Sequence, residues 1–140
     1  MRRGRQGMRV GEIENGDLVL VRFSPFSATR LVEQAEDEFT ARSADGRAPL
    51  YAVSMFGDIK TRDEEVDELV ERIIETASLH GKSVAVVTER DLEGDFEIAP
   101  SAPPPLHYDV ILTTPTPEPA AEKLAELLSE NRRRNPLWRK

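Results

Sequence analysis

Four apolar runs of strand length, the first three separated by segments with helical periodicity, constrain the fold of this chain more than any other feature. The runs are nearly continuous, which is typical of strands that other elements cover on both faces. They span residues 17–23, 50–56, 83–88 and 108–113, and a marginal strand is predicted at 96–98. A sheet covered in this way needs helices on both sides.

Three amphipathic helices are predicted between and after these runs, with N-caps at Ser27, Thr61 and Thr116. Thr61 also forms a predicted capping box with Glu64, which is a typical helix start. Strands that alternate with helices favour right-handed crossovers and parallel neighbours. We therefore expect an α/β domain of three layers, with a mostly parallel or mixed sheet of about four strands flanked by three helices in the order βαβαβ(β)βα.

A chain of 140 residues is near the commonest size of a single domain. We predict a basic N-terminal arm at 1–9, a single α/β domain at 10–130 and a basic C-terminal tail at 131–140 that contains Trp138. Met8 leaves open whether residues 1–7 belong to the native protein. The prediction is thus one core with a short charged segment at each end.

Composition excludes several classes of function. The chain has no cysteine, which excludes thiolate chemistry, and its two histidines, His80 and His107, have no spacing that predicts a metal site. It has neither a Gly-x-Ser-x-Gly elbow nor a glycine-rich dinucleotide motif, so no cofactor is predicted. No apolar stretch approaches the roughly 18 residues of a membrane helix, and we expect a cytoplasmic protein. The frequent Arg, Ala, Pro and Glu residues fit a bacterial source.

Positive charge is concentrated at the two ends of an acidic chain. Nine of the 19 cations lie in residues 1–9 and 132–140, which contain no acid. The other ten cations stand against all 26 acids, which gives the body of the chain a net charge of −16. Such a body repels phosphate backbones, while its basic ends are attracted to it or to an acidic partner.

Lys60 and Thr61 are candidates for anion binding because they lie in a loop, 57–61, between a predicted strand and a predicted helix. Backbone N–H groups at such a position can receive an anion. The loop lacks the full phosphate-binding spacing, however, and acidic residues at 63–65 lie where a phosphate would bind. Ordinary helix capping is the alternative interpretation, and it accounts for the same residue types.

His107, Asp109 and Asp58 are candidate catalytic residues. His107 and Asp109 share one face of the last predicted strand. A histidine at the strand end could act as a general base oriented by Asp109, Asp58 or Glu89. The alternative is structural, because single histidines at a strand edge are common and no nucleophile is near this one in sequence. The catalytic interpretation requires these side chains to converge in space.

The C-terminal segment carries the predicted partner-binding residues, which are Arg132, Arg133, Arg134, Leu137, Trp138 and Arg139. Tryptophan and arginine dominate binding hot spots, because one buries a large apolar area and the other makes directed charged hydrogen bonds. In the alternative interpretation, the tryptophan folds back onto a groove of its own domain while the arginines meet the acidic helices.

The predicted function is protein–protein association by a small non-catalytic protein, with another protein or a second copy of the chain as the partner. An enzyme or ligand-binding domain with a polar site at the strand ends is the first alternative. A nucleic-acid accessory protein that uses the basic arms is the second. Whether the protein is an enzyme stays open, although the missing catalytic constellation favours a non-catalytic role. No membrane partner is expected.

Overall fold

Six strands and four helices make up the parts of the chain that the computed structural model describes, residues 13–101, 106–112 and 116–138. In chain order they are β1 (Leu18–Phe23), α1 (Ala28–Ala44), β2 (Ala52–Ile59), α2 (Val66–Ala77), β3 (Ser83–Thr88), α3 (Glu89–Leu92), β4 (Glu97–Pro100), β5 (His107–Ile111), α4 (Glu118–Glu130) and β6 (Arg132–Arg134). Each apolar run of the sequence overlaps one of these strands, and Ser27 caps α1 as predicted.

The sheet is antiparallel throughout, with the strand order β4-β5-β2-β1-β3-β6. The expected smaller sheet, mostly parallel or mixed and flanked by three helices, is therefore wrong, since six strands and four helices are described. A helix between two strands does not fix their relative direction. Residues 45–51 lead from α1 back to the end of the sheet where β1 finishes, so β2 runs beside β1 in the opposite direction.

Helices cover both faces of the sheet. The first core cluster, which includes Leu20, Leu31 and Leu124, brings together the sheet, α1 and α4. The second core cluster, which includes Val21 and Ile73, brings together the sheet and α2. Successive side chains of a strand point to opposite faces, so neighbouring residues of β1 contribute to different clusters. β1 is therefore buried on both sides along most of its length.

The start of α2 differs from the one predicted. Its capping box starts at Glu65, whereas the Thr61 N–H donates to the Glu64 carboxylate at 2.9 Å in the turn before the helix. The helix ends at Ser78, which has a left-handed φ of 57°. The N–H groups of Ser78 and Leu79 bond to carbonyls of the last turn, and Leu79 then packs against the second core cluster.

In the described structure, most of the predicted C-terminal tail pairs with the sheet or makes hydrogen bonds beside it. Arg132–Arg134 form the edge strand β6, which pairs with Ser83–Ala85 of β3. Asn135 donates from its backbone to the Lys82 carbonyl and from its side chain to the Gly81 carbonyl, both at 2.8 Å. A run of three arginines has no strand-like apolar pattern, which explains why the sequence did not predict β6.

In the described ranges, no helix has both the length and the apolar character needed to cross a bilayer.

Candidate functional site

Arg22 is a charged residue in the otherwise apolar strand β1. Its side chain is buried, with only 8% of the residue exposed. The guanidinium donates from Nη1 to the Ser54 carbonyl at 2.7 Å and from Nη2 to the Gln34 side-chain oxygen. Its buried Nε–H has no hydrogen-bond partner among the described residues. Both partners are neutral, so no described carboxylate compensates the charge of Arg22.

The environment of this guanidinium is unfavourable for a charge. Burial lowers the pKa of Arg22 to about 10. Arginine is almost never fully buried unless it is paired, because removing its charge from water costs several kcal/mol. Arg22 thus has strong hydrogen-bonding capacity and an uncompensated positive charge at a fixed place in the fold.

Arg22 lines a cleft of about 290 Å³ at the end of β1, which we call the Arg22 cleft. Its other polar lining side chains are Ser24, Gln34, Ser54 and His80, and no acidic side chain is among the described lining residues. A guanidinium has five N–H donors, of which two are used here, and serine hydroxyls can also donate to an anion. The cleft is therefore a locally cationic place in a chain with a net charge of −7.

Local folding produces this cleft where β1 and β2 separate. The pairing between these strands runs from Leu18↔Ile59 to Val21↔Phe56, one residue before Arg22. The chain then leaves β1 through Ser24–Pro25, a cis peptide bond that lies on the cleft wall. The segment after α2 contributes Leu79 and His80 to the opposite part of the lining.

His107 does not meet the two aspartates with which it was grouped. Its Nδ1 bonds to the Ser101 hydroxyl, and its ring stacks edge-on against Phe56 with 5.1 Å between the centroids. Asp109 is buried and accepts from Arg42 of α1 at 2.7 Å. No hydrogen bond joins His107 to Asp109 or Asp58 in the described structure, and a catalytic role for these residues stays a prediction.

A surface network lies at the other end of β2, away from Arg22. It contains Asp58, Lys60 and Thr61. Arg72 donates to the carboxylates of Asp58 and Glu64, the latter at 2.8 Å. Burial acts to raise the pKa of Glu64, but hydrogen bonds from Arg72 and Thr61 outweigh it and leave that pKa below its ordinary value.

Lys60 is used within the same region, since its Nζ donates to the Asn15 side-chain oxygen at 2.9 Å and to the Thr61 carbonyl at 3.1 Å. The nearby carboxylates would repel an anion, and anion binding by Lys60 and Thr61 remains only a prediction.

The predicted partner-binding residues make contacts within the chain. Arg133 donates to Asp67 of α2 at 2.7 Å, and Leu137 packs against the second core cluster. Trp138 stays 38% exposed and lines a groove of about 490 Å³, which we call the Trp138 groove. Arg139 lies outside the described residues. Binding of a partner by this segment also stays a prediction.

The sequence alone does not identify Arg22 as a site residue, because Arg22 lies within the first predicted strand. The available signal was a single cation within Leu18-Val-Leu-Val-Arg-Phe23, a run expected to be covered on both faces. A charged residue in such a run is either paired in the core or part of a site. Its neutral partners, Gln34 and Ser54, come from distant parts of the chain and could not be identified from sequence.

Comparison of the chain with protein-family models, curated proteins and solved structures gave no match. Within the ranges that the structure describes, no group of three or more His, Asp or Glu side chains is arranged to hold a metal ion. The function is therefore inferred from the geometry of the Arg22 cleft.

Proposed function

We propose that this protein binds a small anionic ligand, through a carboxylate or phosphate group, in the Arg22 cleft. The observation that carries the proposal is the buried guanidinium of Arg22, which has neutral hydrogen-bond partners and a buried Nε–H without a partner. Guanidinium groups bind carboxylates and phosphates through directed, charge-assisted hydrogen bonds. An anion in the cleft would supply the missing countercharge.

The arrangement favours an anion over a neutral or cationic ligand. Coulomb attraction between opposite charges is several times stronger in a partly buried site than in water. The bonds to Ser54 and Gln34 hold the guanidinium in place before a ligand arrives, which reduces the entropy lost on binding. The other lining groups add hydroxyl donors and no described negative charge.

Binding is better supported than catalysis. A nucleophilic serine requires a base within hydrogen-bonding distance. No hydrogen bond joins His80 to Ser24 or Ser54, the hydroxyls that line the same cleft, in the described structure. The proposal therefore belongs to the ligand-binding alternative raised from the sequence, with a different set of residues.

Thermal unfolding in the presence of simple anions tests the proposal. Sodium acetate and sodium phosphate are compared with sodium chloride at equal ionic strength, and the midpoint Tm is followed by circular dichroism. Because a ligand that binds only the folded state stabilises it, at least one of the two anions should raise the Tm in a saturable way. Substitution Arg22→Met should abolish this rise.

Arg30→Met provides the matched control, since the Arg30 side chain is 62% exposed and pairs with Glu33. This variant should respond to anions like the wild type. Arg22→Lys, which keeps the charge but loses the planar fork, should show a weaker rise and serves if Arg22→Met does not fold. An equal rise in Arg22→Met, or no rise in the wild type with either anion, would contradict the proposal.

A further inference from the structure

We propose that the ligand is an amphipathic carboxylate whose head binds at Arg22 and whose apolar chain passes Leu79 into the Trp138 groove. This inference rests on the proposed function and adds the chemical class of the ligand. It depends on three observations, which are the two lining residues that the clefts share, the apolar lining of the groove and the distribution of charge between the clefts.

The two clefts are adjacent, because Leu79 and His80 line both of them. The Arg22 cleft has a volume of about 290 Å³ and the Trp138 groove about 490 Å³. A ligand larger than a simple anion can therefore extend from one into the other along the segment that follows α2. Ser78, which has a left-handed φ, lines the Trp138 groove, and the two residues that follow it line both clefts.

The Trp138 groove is suited to an apolar chain. Its lining includes the apolar side chains of Ile74, Leu79, Leu137 and Trp138. Trp138 and Ile59 are the exposed large hydrophobic residues of the described structure, and Trp138 borders the groove. An exposed apolar surface next to a groove marks a binding site more often than a single exposed side chain does.

Charge sets the orientation and the kind of head group. Arg22 lines one of the two clefts, and Glu75 lines the other, the Trp138 groove. The Glu75 carboxylate would repel an anionic head, so the head is directed to Arg22 and the chain to the groove. A singly charged carboxylate matches the single guanidinium, whereas a doubly charged phosphate would leave excess negative charge in the cleft.

Isothermal titration calorimetry with acetate, butyrate, octanoate and decanoate tests the inference, with all ligands below their micelle concentrations. Affinity should rise along the series by up to about fourfold per buried methylene group. Trp138 is the only tryptophan of the chain, so its fluorescence should change with decanoate and not with acetate. Decyl phosphate and decanol should bind more weakly than decanoate.

Two variants separate the head from the chain. Arg22→Met should lose binding of every carboxylate. Trp138→Ala should weaken the binding of decanoate at least tenfold and leave the affinity for acetate unchanged. Ile59→Ala is the matched control for loss of an exposed apolar side chain, and it should leave the affinities for acetate and decanoate unchanged.

The outcomes distinguish the two proposals. Equal affinity for acetate and decanoate, or unchanged decanoate binding in Trp138→Ala, would overturn the amphipathic ligand and leave the anion site standing. Tighter binding of decyl phosphate than of decanoate would overturn the carboxylate head in the same way. Undiminished binding of decanol, or of decanoate by Arg22→Met, would overturn both proposals, as would failure of every anion to bind.

Discussion

At Arg22 a charged side chain occupies a position that an apolar residue would fill at lower cost in free energy. Burial lowers its pKa well below the usual value of an arginine, to about 10. Such a shift corresponds to about 3 kcal/mol against the charged form in the folded state. Because the folded pKa lies below the unfolded one, this cost is present at every pH below about 10 and is relieved only as the pH rises further. The proposed anion site would account for a residue that costs the fold stability.

The first prediction is that Arg22→Met stabilises the protein in the absence of ligand. It removes the desolvation cost and also the hydrogen bonds to Ser54 and Gln34, so the net gain should be about 1 kcal/mol. Urea denaturation measures it, with Arg30→Met as the control that stays within about 0.5 kcal/mol of the wild type. A loss of stability in Arg22→Met would show that the two hydrogen bonds outweigh the buried charge.

The second prediction concerns Asp17, whose pKa is lowered mainly by its hydrogen bond with Arg90, against an opposing effect of burial. A carboxylate with a lowered folded pKa stabilises the fold above its unfolded value of 3.8, and this contribution is lost as the pH falls through the folded pKa. Since Arg90 is half exposed, Asp17→Asn should lower the free energy of unfolding by only about 1 kcal/mol at pH 7.

The difference between Asp17→Asn and the wild type should therefore shrink as the pH falls below 3.8. Chemical denaturation at several pH values measures this trend. Asp45→Asn is a matched control, because Asp45 is 65% exposed and pairs with Arg47 on the surface. A difference that does not depend on pH would contradict the assigned role of the Asp17 carboxylate.

At the scale of elements, the sequence predicts which segments form strands and helices better than how they are arranged. The apolar stripe of α2, which includes Leu69 and Ile73, and the runs of β1 and β3 depend on local periodicity and were found. The direction of β2 relative to β1 depends on where residues 45–51 bring the chain back to the sheet. The sequence of such a loop contains no pattern that predicts this direction. β6 depends on an exposed edge of β3, which exists only once the sheet has formed.

The candidate site was less predictable than the fold for the same reason. Its central residue, Arg22, stands out in the sequence as a single charged residue within an apolar run. Its partners and neighbours come from α1, β2 and the segment after α2. Their convergence depends on an antiparallel arrangement that local periodicity cannot predict.

The third prediction is that deletion of residues 131–140 destabilises the protein. The deletion removes β6, the hydrogen bonds of Asn135 and the packing of Leu137, so the Tm should fall by several degrees, equivalent to about 2 kcal/mol or more. Deletion of residues 139–140 alone is the control and should leave the Tm unchanged. A full deletion without effect on the Tm would show that these residues do not pair with β3 in solution.

At the scale of the whole molecule, the two ends of the central strand β1 differ in their surroundings. The end near Asp17 is held by ion pairs between elements, including Asp17–Arg90 and Asp58–Arg72. The opposite end contains the Arg22 cleft and the adjacent Trp138 groove. A requirement for solubility explains why the chain as a whole is acidic. It does not explain a buried cation that has no carboxylate partner in the described structure.

The most direct test of an anion site at Arg22 is nuclear magnetic resonance of the arginine Nε–H groups during titration with acetate and then decanoate. We predict that the Nε–H resonance of Arg22, assigned by its absence in Arg22→Met, shifts progressively and saturates, while that of Arg30 stays in place. An Arg22 resonance that remains unchanged at saturating concentrations of both ligands would contradict the central claim.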